Sequence, residues 1–208
     1  MLPKKIVVGI FILLNTSEPA WGAAQVSIGG FASTNHKNLQ TEEKTSLSAG
    51  IAFDIFSMVQ IGYTLRSSTE NTYGSLKTEL QAPYNYIPFD DSDSVVKQSI
   101  DLTLVPFMTR TLVPFIFGGV AQQTYVIRRS YLSPTTNQVE ERRLTIKPGD
   151  GDNPLFAPNG GIGVRIPLNQ DFSIKVSQTW TKGVTQEPDQ ASKEAVDTYT
   201  EFSISYNL

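Results

Sequence analysis

The chain has 208 residues, of which 18% are charged and 39% hydrophobic, with 15 Gly, 12 Pro, no Cys and one His. This composition excludes disordered and collagen-like classes and favours one domain. The missing cysteines rule out a disulfide framework, a thiolate metal site and a cysteine nucleophile, while a net charge of −3 and a pI near 5.2 argue against a nucleic-acid partner, which needs a basic surface.

Lys4 and Lys5 precede an apolar run from Ile6 to Leu14, followed by a polar stretch and the small residues of Ala20-Trp21-Gly22-Ala23-Ala24. The run is far shorter than the about 20 residues a spanning helix needs, and the small residues suit a signal peptidase. Residues 1–24 therefore read as a cleaved signal peptide, cut after Ala24 or, as an alternative, after Gly22, leaving a domain of residues 25–208. Beyond residue 24 no apolar stretch has spanning length, and mean hydropathy is −0.17. A helical membrane protein is excluded; an exported soluble protein or a closed β-barrel remains.

Period-two alternation then recurs in segments of about ten residues, the length a tilted strand needs to cross a bilayer. Residues 25–34 form the first, less regular segment. In Thr45 to Phe56, Leu47, Ala49, Ile51, Phe53 and Ile55 share one face; in Val59 to Ser67, Val59, Ile61, Tyr63 and Leu65 do. Val96 to Phe107 follows, with Ile100, Leu102 and Leu104 on its apolar face. Val113 to Ile127 places Phe115 and Phe117 opposite Ile116 and Val120, which leaves open which face points out. Phe156 to Leu168, Phe172 to Trp180 and Thr198 to Leu208 complete a count of eight strands.

The connections alternate in length. Ser57-Met58, about five residues around Thr109-Arg110, and Asn169-Gln170-Asp171 are short; the segments around His36, from Ser68 to Ser94, from Arg129 to Pro154 and from Lys182 to Val196 are long and polar. Short turns on one rim and long loops on the other are the layout of a transmembrane barrel. The fold predicted is all-β: an eight-stranded antiparallel up-and-down barrel, short turns periplasmic and long loops extracellular. A soluble barrel would show the same alternation. Aromatic residues at strand ends favour lipid outside, with Phe56, Phe107, Phe172 and Tyr206 near one rim and Tyr125 and Trp180 near the other.

With the aliphatic face outward, Asp54, Arg66, Lys97, Asp101, Arg165, Lys175 and Glu201 face the lumen. An eight-stranded barrel is just wide enough for side chains to fill, and buried charge needs pairing and completed hydrogen bonds. The expectation is an ion-paired plug, with Gly62, Gly161 and Gly163 making room for long side chains; a narrow small-solute channel is the alternative.

At the C-terminus, Phe202, Ile204, Tyr206 and Leu208 alternate in the manner of the terminal strand of Gram-negative outer-membrane proteins, with Leu208 standing where that pattern has an aromatic. Val113 to Gly119 and Gly160 to Leu168 also resemble the small barrels of the OmpA/OmpX type. The resemblance implies insertion by the outer-membrane assembly machinery with the final strand as its signal; residence among outer-membrane lipid and lipopolysaccharide, as a monomer without cofactor or catalysis, is the accompanying expectation. It identifies a barrel class, not an activity.

Several loop residues invite chemical readings. His36, with Asp90 to Ser94 on the same rim, is similar to the loop His and Asp-Ser pair of the lipid A palmitoyltransferase, so a lipid A-modifying enzyme is a further alternative. Asp150 and Asp152 are hard ligands that would suit calcium, against a plain solvated turn. Tyr73, Tyr84, Tyr86 and Phe89 make the second loop aromatic and are the candidates for contact with a surface ligand. Val139 to Ile146 reads as a hairpin above the bilayer, which would raise the count to ten if it entered lipid.

Overall fold

A computed structural model of the chain describes residues 5–6, 24–37, 40–56, 58–78, 85–107, 111–132, 136, 138–185 and 193–208. Apart from Lys5 and Ile6, the expected signal peptide up to residue 23 lies outside the described residues. Ten strands are present: β1 (Lys5–Ile6), β2 (Ala24–Lys37), β3 (Gln40–Phe56), β4 (Val59–Thr78), β5 (Asn85–Leu104), β6 (Val113–Leu132), β7 (Val139–Ile146), β8 (Ala157–Pro167), β9 (Phe172–Thr185) and β10 (Lys193–Asn207). Among the described residues no helix is long and apolar enough to cross a membrane.

Eight of these strands close a ring. The antiparallel ladder runs β2-β10-β9-β8-β6-β5-β4-β3, and β3 pairs back onto β2. Starting at Asn207 and stepping through Gln25, Ala52, Gly62, Asp101, Gly119, Asn159 and Thr181, the pairing returns to β10 at Asp197. The start and end differ by ten residues, and that stagger over eight strands fixes a tilt of roughly 40° and a radius of about 8 Å for ordinary strand dimensions. The chain thus forms an eight-stranded antiparallel barrel. The Val139–Ile146 arm pairs with the upper part of β6 and stays off the ring, so the count remains eight.

The register settles which face points out. Leu47, Ile51, Phe53, Ile55, Ile61, Leu65, Ile100, Leu102, Leu104, Ile116, Val120, Ile162 and Phe202 are exposed, and all lie on the outer side of their ladders. Along β3 this belt runs from Leu47 to Ile55, about 20 Å along the axis at that tilt, close to the ~25 Å apolar band of a membrane barrel. For β6 the open question resolves: Phe115 and Phe117 face in, and Ile116 and Val120 face out. Trp180 is exposed on the outside, but Tyr125, expected in the upper girdle, is buried inside. Phe172 and Tyr206 pack together at the lower rim, ring centroids 4.9 Å apart.

Long strands correct the expectation of long loops. The segments from Ser68 to Ser94 and from Arg129 to Leu132 continue largely as β4, β5 and β6, rising on the order of 25 Å above the belt. Apolar alternation ends where lipid would end, but the backbone ladder does not, because polar cross-strand pairs carry it on: Thr69 with Ser94 at 3.2 Å, Ser92 donating to Asn71 at 2.8 Å, and Lys44 with Glu70 at 2.6 Å.

Candidate functional site

The lumen is a stack of three layers. At the short-turn end Val105, Val113, Phe115 and Phe117 form an apolar cluster. Under the raised hairpins Tyr125, Ile127 and Ile146 form another, packed against Val95 and Leu144. Between them lie the polar residues, and a cavity of about 90 Å³ bordered by Gln60, Asp101, Phe115, Lys175, Tyr199 and Glu201, room for about three waters.

Small residues opposite large ones build the lower layer. A Cβ on Gly161 would lie 2.5 Å from Phe117 Cζ, and one on Gly163 would meet the Phe115 ring. Both glycines make room as expected. Gly62 does not: the nearest heavy atom to its added Cβ is 3.6 Å away.

All seven predicted lumen charges point inward from their ladders, yet among the described residues none joins another in an ion pair within 4 Å. This corrects the expectation of direct pairing. Amides are interposed instead. Lys97 Nζ donates to Asn159 Oδ1 at 2.6 Å, while Asn159 Nδ2 donates to Asp101 Oδ1 at 2.6 Å. Near the lower rim Arg165 Nη2 donates to Gln60 Oε1 at 2.8 Å, and Gln60 Nε2 donates to Asp54 Oδ1 at 2.6 Å. A carboxamide both accepts and donates, so it satisfies cation and carboxylate together when the register holds them too far apart to touch. Sequence inspection passes over Asn159 and Gln60 because it searches for charge; their inward position in the alternation was the available signal.

The remaining lumen charges have separate neighbours. Lys97 also donates to Thr181 Oγ1 at 2.6 Å and Tyr199 Oη at 2.8 Å. Glu201 accepts from Ser48 Oγ at 2.8 Å, and Lys175 Nζ lies 5.5 Å from the Phe115 ring centroid. Arg66 Nε donates to Ser46 Oγ at 2.9 Å, with its guanidinium carbon 3.2 Å from the Tyr199 ring centroid.

The loop candidates do not assemble. His36 pairs with Thr41, which lies in register with Tyr73 and then Asp90; three ladders put the His36 and Asp90 backbones about 14 Å apart, beyond the reach a nucleophile and its base require. Asp91 and Asp93 face inward to Arg129, Asp93 at 2.5 Å, and Ser92 faces outward to Asn71. Asp150 Oδ2 accepts from the Lys147 backbone at 2.8 Å, and Gly149 and Gly151 have φ of 87° and 55°, the features of a tight turn. No group of three or more metal-ligating side chains occurs among the described residues.

The aromatic candidates of the second loop are split by the pleat. Tyr73 is exposed on the outer face and donates its hydroxyl to Glu43 at 2.7 Å; that bond raises its pKa above 10.0. Phe89 is half-buried on the inner side. Tyr86 pairs with Lys77 through its backbone, and Tyr84 lies outside the described residues. At the C-terminus Phe202, Ile204 and Tyr206 share the outer face, and the Leu208 amide donates to the Ala24 carbonyl at 2.7 Å.

No family model and no curated protein matches the chain. Its solved-structure likenesses are with outer-membrane barrels. The N-terminal β-barrel domain of Pseudomonas aeruginosa OprF aligns at TM-score 0.43 and 10% identity, covering 90% of this chain and 98% of that one. Ail of Yersinia pestis, crystallised with the heparin analogue sucrose octasulfate, aligns at 0.47 and 12%, covering 90% and 99%. Neisserial surface protein A aligns at 0.39 and 7%, covering 89% and 96%.

Proposed function

We infer that the chain is an integral outer-membrane barrel, exported by a cleaved signal peptide, whose lumen is a plug and whose raised β4-β5 and β6-β7 hairpins present a surface to the cell exterior without catalysis. The observation that carries this reading is the inversion of polarity across one ladder, with an apolar belt outside and amide-linked charges inside. In water such a belt would be a continuous exposed apolar surface far larger than soluble proteins tolerate; in lipid it is the required face.

The apolar layers above and below the central cavity favour a plug over the channel alternative. The aromatic residues first picked out on the second loop are not gathered into one contact surface, so the hairpins themselves, with Tyr73 and Glu70 on β4, are the interaction surface proposed. Within this reading Phe202, Ile204, Tyr206 and Leu208 serve as the signal to the assembly machinery. Two measurements test it. Protein extracted from membranes in detergent migrates faster unheated than boiled, and purified protein in planar bilayers gives no steady conductance. A soluble protein without detergent overturns the membrane assignment, and a reproducible conductance overturns the plug.

A further inference from the structure

The ring is closed unevenly. Between β2 and β10 the ladder spans five residue pairs, from Asn207 with Gln25 up to Ser203 with Gly29, although the strands have 14 and 15 residues. Above that point residues 30–37 have no ladder partner in β10 among the described residues, and Ala32 and Ser33 pair with Ile6 and Lys5 instead. The upper seam thus accepts an added extended segment, and it lies at the height of the upper belt.

Arg66 closes the inner mouth of this seam. Its guanidinium carbon lies 3.2 Å from the Tyr199 ring centroid on β10 and 5.7 Å from that of Phe31 on β2, both residues above the last β2-β10 pair. The side chain is 6% exposed, and its Nη1 has no hydrogen-bond partner among the described residues. Outside, the seam is flanked by short side chains, Gly30 and Ala32 on one strand and Thr198 and Thr200 on the other. Thr200 donates to Gln178 at 2.7 Å, a polar pair in an otherwise apolar stretch.

Resting on the membrane reading above, we propose that the β2-β10 seam is a lateral binding site for an ester-linked acyl lipid. The acyl chain lies along the groove of short side chains, and an ester carbonyl enters between Phe31 and Tyr199 to accept from Arg66 Nη1. A neutral acceptor suffices, because the Glu201 and Asp197 carboxylates already act on the Arg66 charge. Past Gly29 and Ser203 the facing edges of β2 and β10 have no ladder to each other among the described residues, and their backbone N–H groups are available as further donors for the glycerol region once Lys5 and Ile6 are removed with the signal peptide.

The test is photolabelling of the barrel, purified from membranes, in phosphatidylcholine vesicles carrying a diazirine phospholipid or, separately, a diazirine fatty acid. Phospholipid label concentrates in residues 30–37 and 193–202, above that at Ile51, Ile100 and Ile162. Arg66→Met lowers the seam label roughly tenfold, as expected for loss of a charged hydrogen bond, and leaves the belt label unchanged. Because the chain has no cysteine, a Thr34→Cys/Thr198→Cys disulfide locks the seam without competing thiols. It removes the same label until reduced, and this arm stands if Arg66→Met fails to fold. Seam label equal to the belt and indifferent to the lock overturns the site, as does labelling by the fatty acid alone. Absence of label from the belt as well would instead defeat the membrane reading.

Discussion

Asn159 shows how one side chain can hold two charges. Its carbonyl oxygen takes the Lys97 ammonium and its amide nitrogen serves Asp101, so replacing it removes one bond from each at once, leaving Lys97 with Thr181 and Tyr199 and Asp101 with Ser99. Asn159→Leu keeps the branched shape and removes both bonds, and is expected to cost about 1.5–3 kcal/mol, the range for hydrogen bonds to charged groups; urea unfolding in lipid vesicles measures it. A change below 1 kcal/mol would mean that water replaces the amide. Tyr73 gives a residue-scale test above the apolar belt. Its bond to Glu43 favours the protonated phenol, so any stabilisation is complete below the unfolded value of 10.0 and is lost as pH rises through the higher folded value. The difference in tyrosinate absorbance between parent and Tyr73→Phe isolates this group, and titration at or below 10.0 would contradict the bond.

At the scale of elements, the point of interest is where β6 changes partners. Its lower half pairs with β8 as far as Ala121 with Ala157, and its upper half pairs with β7 from Tyr125 with Ile146. The gap leaves the Gln123 carbonyl without a strand, and Asn153, buried at 2% exposure, donates its Nδ2 there at 2.9 Å and to the Lys147 carbonyl at 2.8 Å. The turn that suggested calcium is therefore a clasp holding the raised hairpin to the ring. Asn153→Ala is expected to speed hydrogen exchange and proteolysis across Val139 to Ile146 while heat-modifiable migration stays unchanged, since β7 is outside the ring; equal loss of both would make the clasp part of barrel closure. The clasp was hidden in the sequence because its partner is a backbone carbonyl, a group that every residue carries. The strand starts and ends were hidden for a related reason: above the belt, ladders are held by Thr, Ser and charged pairs that read as loop.

For the whole molecule, legibility follows from what a closed ladder with an apolar exterior demands and what it leaves free. Eight strands, their order and the inward position of Asp54, Arg66, Lys97, Asp101, Arg165, Lys175 and Glu201 were readable because period-two alternation, turn lengths and strand number constrain one another. The manner of satisfying those charges was not, since it depends on a stagger of ten residues that brings amides from distant strands between them. The same inversion yields the decisive stability comparison. Ile162 is 53% exposed in the middle of the belt, and Val196 is 65% exposed above it. In lipid, Ile162→Lys is expected to cost about 2–4 kcal/mol and Val196→Lys about 0–1 kcal/mol, because the cost of a charge falls from the midplane to the interface. In a water-soluble barrel both positions would face solvent, and neither lysine would carry a depth-dependent cost. Urea titration of the two variants in vesicles separates these cases: a clear gap between them places the belt in lipid, and equal stability of both variants would turn the barrel's outer face back towards water.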